Sequence, residues 1–391
     1  MREGWTIMTI GEVALHLCDG SHNPPVGIDF SEYPMLSSKN IFFDSYDYSE
    51  PRYLTKEQFD IENKRTNVSD GDILLTIVGT IGRACCIKEP FQPFTLQRSV
   101  AVIKPNKNII ISRYLMYCLC GLNAYFNKEA KGVAQKGIYL KQLSKISIPV
   151  PPLQEQERIV AELDLLTEII DKQKQQLKEL DTLAQSIFYD MFGNPVENDK
   201  GWEKKQIGKI CTSKKQIQRA SKRFKDSDII RYIDISSIDN INNVMTSTTS
   251  YGFGDAPSRA QQVVEIGDVL ISLVRPNLNN VAMVSEDGTD LVASSGFCVL
   301  RANCEIVKEF LFYSVKMKCF TDYLMQRVSG ANYPAVREDD IMGYNIILPP
   351  LELQESFAQK IQSIESQKQS INRSLAESQK LFDYTMDKYF G

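Results

Sequence analysis

The chain has 391 residues, with 45 Lys and Arg against 49 Asp and Glu; a net charge of −4 gives no overall pull toward a polyanion. Hydrophobic residues make up 43% and charged residues 24%, a globular balance that excludes global disorder, and at about 150 residues per domain two to three domains are expected. Apolar runs fall short of the roughly 18 residues a membrane span needs, and the opening Met1-Arg2-Glu3-Gly4-Trp5 does not read as a secretion signal.

Nine scattered cysteines without a CxxC pair point to reduced thiols in the cytoplasm and away from a structural zinc. Only His16 and His22 are available as imidazole bases, which argues against most hydrolases and metalloenzymes.

In chain order, one plan is written twice. Gly4-Trp5 and Ile10-Gly11 open it, and the β-branched runs Asp72–Val78 and Ser99–Ile103 read as strands of a mixed, mostly β domain. A helical stretch follows near Arg113–Phe126. Ile148-Pro149-Val150-Pro151-Pro152-Leu153 then forbids helix before the prolines and permits it after them. Beyond Pro152 the period becomes 3.5: Ile159, Leu163, Leu166, Ile170, Gln173, Leu177, Leu180, Ala184, Ile187 and Met191 form a coiled-coil seam of about five heptads. Phe192-Gly193 closes the copy.

The second copy returns at offsets of 196 to 198 residues. It runs from Gly201-Trp202 and Ile207-Gly208 through the strand Gly267–Ser272 and a helical stretch near Lys308–Val328 to Pro349-Pro350-Leu351. Its seam is weaker: Phe357, Ile361, Ile364, Lys368, Ile371, Leu375, Ser378, Phe382, Thr385 and Tyr389. The expected fold is α+β. Two similar, mostly β domains (1–150 and 194–348) are separated by two long helices (151–193 and 349–391) pairing within the chain as an antiparallel coiled coil, a pseudo-two-fold tandem repeat. Each helix would form a rod of roughly 58 Å, with a β-rich domain at either end. Gln173 and Lys368, polar members of the seams, are expected to set its register.

Charge is distributed unevenly. Residues 153–193 hold four basic side chains against nine acidic ones, whereas nine basic residues between Lys204 and Lys225 meet no acid. Such a run is either a solvated face or a phosphate-binding edge.

Enzyme motifs are weak. Asn23-Pro24-Pro25-Val26 approaches the Asn-Pro-Pro-aromatic tetrapeptide of amino-methyltransferases, but Val26 cannot stack on a flipped base. Glu62-Asn63-Lys64 lacks an upstream Pro-Asp, Gly137-Ile138-Tyr139 lacks a Tyr-x-Gly partner, and no nucleotide or methyl-donor loop follows a strand into a helix.

Candidate nucleic-acid contacts lie in loops at corresponding places of both copies, together with Lys222 and Arg223 from the basic run of the second copy. In the first copy they are Arg83, Gln97, Arg98, Lys131, Gln135 and Lys136. In the second they are Lys222, Arg223, Arg275, Asn277, Asn279, Asn280, Ser294, Asn332, Tyr333 and Arg337. Arg, Asn and Gln are the side chains that pair bidentately with base edges. Recurrence with different contents suggests related domains that read different things.

Over nearly its whole length the chain resembles the specificity subunits of type I restriction-modification systems. The resemblance rests on Pro151-Pro152-Leu153-Gln154-Glu155-Gln156-Glu157-Arg158-Ile159-Val160 and Phe188–Gly193. It rests also on their second copies at Pro349–Gln354 and Tyr389-Phe390-Gly391, on Ser272–Asn277, and on Gly4-Trp5 and Gly201-Trp202. The second helix departs from it at Leu353 and Ser356.

The resemblance implies a non-catalytic subunit with two target recognition domains, each reading part of a split, asymmetric site in double-stranded DNA. It implies two modification subunits carrying S-adenosylmethionine and two restriction subunits using ATP and Mg, with no cofactor, metal or membrane contact in this chain. Read without the resemblance, the residues also fit a coiled-coil scaffold with protein- or glycan-binding β domains, or a standalone DNA enzyme.

Overall fold

The computed structural model describes residues 4–130, 137–212, 216–329 and 334–391. The chain divides into two compact units, one formed by 1–174 with 373–391 and the other by 175–372. Each unit therefore owns half of each long helix.

In the first unit the main sheet is antiparallel, in the order Ala14–Asp19, Val100–Pro105, Ile73–Thr76, Ala84–Cys86. A smaller sheet joins Arg52–Tyr53, Pro34–Leu36 and Thr95–Leu96. Thr6–Thr9 pairs antiparallel with Ser147–Val150, so the start of the β-rich region is closed against its end. The second unit repeats this ribbon as Glu203–Gln206 with Asn345–Leu348, and repeats three main strands as Val281–Met283, Val269–Ser272 and Phe297–Leu300. Its other sheet follows the order Thr249–Gly252, Ile229–Ile233, Leu291–Ser294, Ala260–Val263.

The repeated Gly-Asp landmarks are one ion pair built twice. Gly71 and Gly267 take φ of +82° and +91°, a region open to glycine without a Cβ penalty. The turn aims Asp72 and Asp268 inward. Asp72 accepts the Ser69 N–H at 2.8 Å and pairs with Lys104 at 2.5 Å; Asp268 accepts the Glu265 N–H at 2.9 Å and takes Arg301 at 2.7 Å. Lys104, within its strand, and Arg301, just past the end of Phe297–Leu300, hold equivalent places in the repeat, so the two landmarks depend on each other.

The long helices are Leu153–Phe192 and Leu351–Phe390, 40 residues each and uninterrupted. Their pairing is antiparallel, because within each unit the first helix advances as the second recedes. In the first unit Arg158 and Glu162 bind the Tyr389 hydroxyl at 3.1 and 2.7 Å, and Gln173 donates to Ser374 at 2.8 Å. In the second, Lys368 meets Asp181 at 3.0 Å and Phe188 packs edge-on against Phe357. Ile159, Leu163, Leu166, Ile170, Phe357, Ile361 and Ile364 are buried; Leu177, Leu180, Ile187, Ile371, Leu375 and Phe382 are only half-buried. Stability along the seam is therefore concentrated where each helix half also packs on its own β-rich region.

Three local features depart from expectation. The stretch expected as one helix near Arg113–Phe126 is two, Ser112–Gly121 and Asn123–Glu129. Lys308–Lys316 and Lys318–Met325 are likewise separate, because Met317 is extended at ψ 149°. A further helix, Lys56–Thr66, was not expected; a capping box of Thr55 and Gln58 starts it, and only Phe59 and Thr66 are buried along it.

All nine cysteines are free, and only Cys304 is exposed. Burial pushes Cys86 up to about 11 and Cys120 and Cys211 up to about 12, leaving little thiolate at neutral pH. A disulfide reagent at pH 7.5 is expected to titrate one fast thiol in the native protein and all nine after denaturation. A Cys304→Ser variant that kept its fast phase would contradict this packing.

Candidate nucleic-acid interface

The first unit gathers three loops at one edge. Thr80 donates to the Ser38 carbonyl at 3.2 Å, and the Ser38 N–H donates to the Ser99 hydroxyl at 3.0 Å. Backbone bonds from Gln97 to Leu36 and from Arg98 to Ser21 (both 2.9 Å) complete the stitching. Arg98 is exposed, Gln97 half-buried. Half-buried Arg83 sits 5.5 Å over the Phe42 ring and donates to the Ile41 carbonyl at 3.4 Å.

Arg65 and His22 add to this surface, and motif reading missed both. Arg65 donates to the Asp19 carbonyl at 2.8 Å and pairs with its carboxylate, which His22 reaches at 2.7 Å. Arg65 rides on the unexpected helix Lys56–Thr66, so no periodicity signal could have placed it.

The second unit presents the equivalent loop in a different dress. Where the first uses Gly79 and Gly82 at φ of +83° and +89°, the second holds Arg275 and Asn279 at +50° and +48°. Side chains other than glycine rarely take that conformation, and the surroundings must impose it. Here the Arg275 N–H donates to the Pro334 carbonyl at 2.7 Å, while Asn240 and Asn243 donate to the Leu278 and Asn279 carbonyls at 3.1 and 2.8 Å. Arg275 and Asn277 are exposed.

Three other candidates serve the loop itself. Asn279 donates to the Lys316 carbonyl at 3.1 Å, Asn280 is 9% exposed, and Ser294 is 3% exposed with its hydroxyl accepting the Gly296 N–H.

Lys222 and Arg223 are exposed, beside exposed Arg219 and Lys225. Arg219 bridges to Gln262, so this basic segment runs along the edge strand Ala260–Val263. A depression of about 260 Å³ there is lined by Arg219, Ser221, Ser258 and Gln261. Arg337 is exposed at the start of the helix Glu338–Met342. Lys131, Gln135, Lys136, Asn332 and Tyr333 lie outside the described residues.

In the second unit, Lys316 and Lys368 cluster around Asp181 behind the loop of Arg275. Burial lowers the Lys316 ammonium below the ordinary lysine value despite Asp181 nearby. Lys368 is also penalised by burial, yet Glu365 and Asp181 raise it overall. Among the described residues, no cluster of three or more His, Cys, Asp or Glu could hold a metal, and no helix is long and apolar enough to cross a membrane.

Residues 2–182 and 199–378 each match the family model described as "Type I restriction modification DNA specificity domain". The MjaVIII specificity subunit of Methanocaldococcus jannaschii is 24% identical over 384 residues, covering 93% of this chain and 87% of that one. The EcoBI specificity subunit of Escherichia coli is 33% identical over 152 residues, 37% of this chain and 32% of its own. In fold, the chain is similar to the crystal structure of the S subunit of a type I restriction-modification system from M. genitalium. The TM-score is 0.58 at 14% identity, covering 99% of this chain and 96% of the other. A structure from work on complex assembly and conformational transition of the type I restriction-modification system gives a TM-score of 0.52 at 19% identity, covering 100% and 98%.

Proposed function

The chain belongs to the type I restriction-modification DNA specificity family, and from that premise we propose that it binds a split DNA site, one half per β-rich domain, and selects where partner subunits act. One observation supports this reading best: a single scaffold carries the same left-handed loop positions twice, with glycines in one copy and Arg275 and Asn279 in the other. Equal backbones with unequal side chains suit two readers of different words.

In this reading, Arg83, Gln97 and Arg98 face one half. Arg275 and Asn277 face the other, while the Arg219–Lys225 segment neutralises phosphates. Chemistry belongs to the partners: two modification subunits supply S-adenosylmethionine and adenine methylation, and two restriction subunits supply ATP- and Mg-dependent translocation and cleavage. The assembly works in the cytoplasm. Phosphate contacts shared with those partners fit a chain whose net charge is only −4.

Methyladenine mapping tests this. Random duplexes incubated with the chain, its modification subunit and methyl donor should be methylated at two short words separated by a fixed unread gap. The isolated chain should bind the same site weakly. A single uninterrupted word, or nanomolar binding by the chain alone in moderate salt, contradicts the reading.

A further inference from the structure

In the first unit, Arg83 is not placed by its own strand alone. The turn Ile41–Tyr46 supports it, through the Ile41 carbonyl and the Phe42 ring. At the tip of that turn Asp44 sits at φ +49°, an unfavourable conformation for an aspartate unless its neighbours enforce it. Its N–H donates to the Ala84 carbonyl at 2.9 Å, next to Arg83.

The Asp44 carboxylate takes two parallel bonds from Arg113, each 2.9 Å. Arg113 turns its Nε to Asp164 on the first long helix, also at 2.9 Å, and the Tyr117 hydroxyl donates to the same carboxylate at 2.6 Å. The Arg113 side chain is only 16% exposed and that of Asp44 17%. Beside this tether a cleft of about 550 Å³ lies between the turn and the long helices, lined in part by Phe42, Thr167 and Ile170. Phe43 reaches across to the Phe382 ring and also lies against Tyr117.

The second unit anchors the loop of Arg275 differently. Asn279, in the loop of Arg275, binds the last carbonyl of the helix Lys308–Lys316. The Lys316 ammonium lies 3.6 Å from Asp181, again on the first long helix. At the places that Arg113 and Asp164 hold in the repeat, the second unit instead carries Glu309 and Gln362, whose side chains are hydrogen-bonded at 3.2 Å.

We infer that Asp164 is a specificity-positioning residue: acting through Arg113 and Asp44, it fixes the pose of the loop that carries Arg83, though it touches no base itself. This rests on the proposed reading of Arg83 as a base contact. Two charge-assisted links in series, sharing the largely buried Arg113 guanidinium while the Asp164 side chain is 37% exposed, transmit position better than fully exposed pairs do. The effect is local, so the half-site read by the other copy is an internal control.

The test uses the full chain with its modification subunit and duplexes randomised one half-site at a time. Arg83→Ala first identifies the half that Arg83 reads. Asp164→Asn is then expected to lower base discrimination in that same half by about tenfold, leaving the other half unchanged. Asp164→Glu, which keeps the charge, should restore most of it.

An Asp164→Asn protein that methylates more slowly but keeps both words intact overturns the inference and leaves the reading standing. So does an equal loss in both halves, or a glutamate variant no better than the asparagine. If Arg83→Ala changes neither word, the reading of Arg83 fails and the inference falls with it. Should Asp164→Asn not fold, Asp44→Asn tests the outer link with the same expected pattern.

Discussion

Replacing Gln156 by leucine is expected to destabilise the first unit by about 3 kcal/mol, as read by chemical denaturation. Its side chain is fully buried. The amide oxygen accepts the Ile111 N–H at 2.8 Å, and the amide nitrogen donates to the Ile109 and Pro151 carbonyls at 3.0 and 2.8 Å. Leucine fills nearly the same volume but strands one donor and two acceptors away from water, at about 1–3 kcal/mol for each unmet group.

Gln354 makes the same three bonds in the second unit, to Val307, Glu305 and Pro349. Gln354→Leu should therefore weaken that unit by a similar amount. Loss below about 1 kcal/mol in both would mean that the Pro-Pro-to-helix junction is held by packing rather than by this amide.

The second large effect is electrostatic. Changing Arg219, Lys222 and Arg223 together to alanine should reduce the slope of log affinity against log salt by about 0.9 for each phosphate these side chains neutralise, up to about 2.7 in total. Binding at low salt would fall by orders of magnitude while the methylated words stayed the same, because phosphate contacts carry no sequence. The three side chains are exposed along an edge strand and within reach of a backbone following it. An unchanged slope would make the basic run a solvated face. The measurement is a salt titration of the partner-loaded protein on one cognate duplex.

Much of the fold was legible because its signals are local or periodic. The Pro-Pro junctions bound helices that begin one residue later, at Leu153 and Leu351. The 3.5-residue seam foretold the buried faces over Ile159–Ile170 and Phe357–Ile364, but at the end of the first helix Phe188 and Phe192 are fully buried where it named Ile187 and Met191. Lys368 and Gln173, polar residues in that seam, each found a partner, in Asp181 and Ser374. The helix Lys56–Thr66 escaped because it buries little and has no apolar stripe; its capping box was the only signal. The break at Leu122 escaped although Gly121 marks it, and the break at Met317 escaped because that residue is not a helix breaker.

The candidate site was legible by position and not by role. Loop sequence names side chains able to read bases, and Arg275 and Asn277 are indeed exposed. Nothing in the order of residues distinguishes them from Asn279, Asn280 and Ser294, whose side chains serve the loop or are buried. That distinction depends on where the Lys316 carbonyl and the neighbouring strands come to lie.

What the amino-acid order determined alone was the repeat, the β-rich regions, and two long helices with an apolar stripe on one side. Glycine, proline and hydrophobic period act over a few residues, so neighbours in sequence suffice to express them. Tertiary structure alone decided that Gln156 and Gln354 fasten the helix junctions, that Arg65 joins a polar surface, and that Asp164 reaches Arg83 through Arg113 and Asp44. Each of these joins residues tens of positions apart, and forms only when the fold brings at least one buried partner (Gln156, Gln354, Asp19 or Arg113) to the other residue.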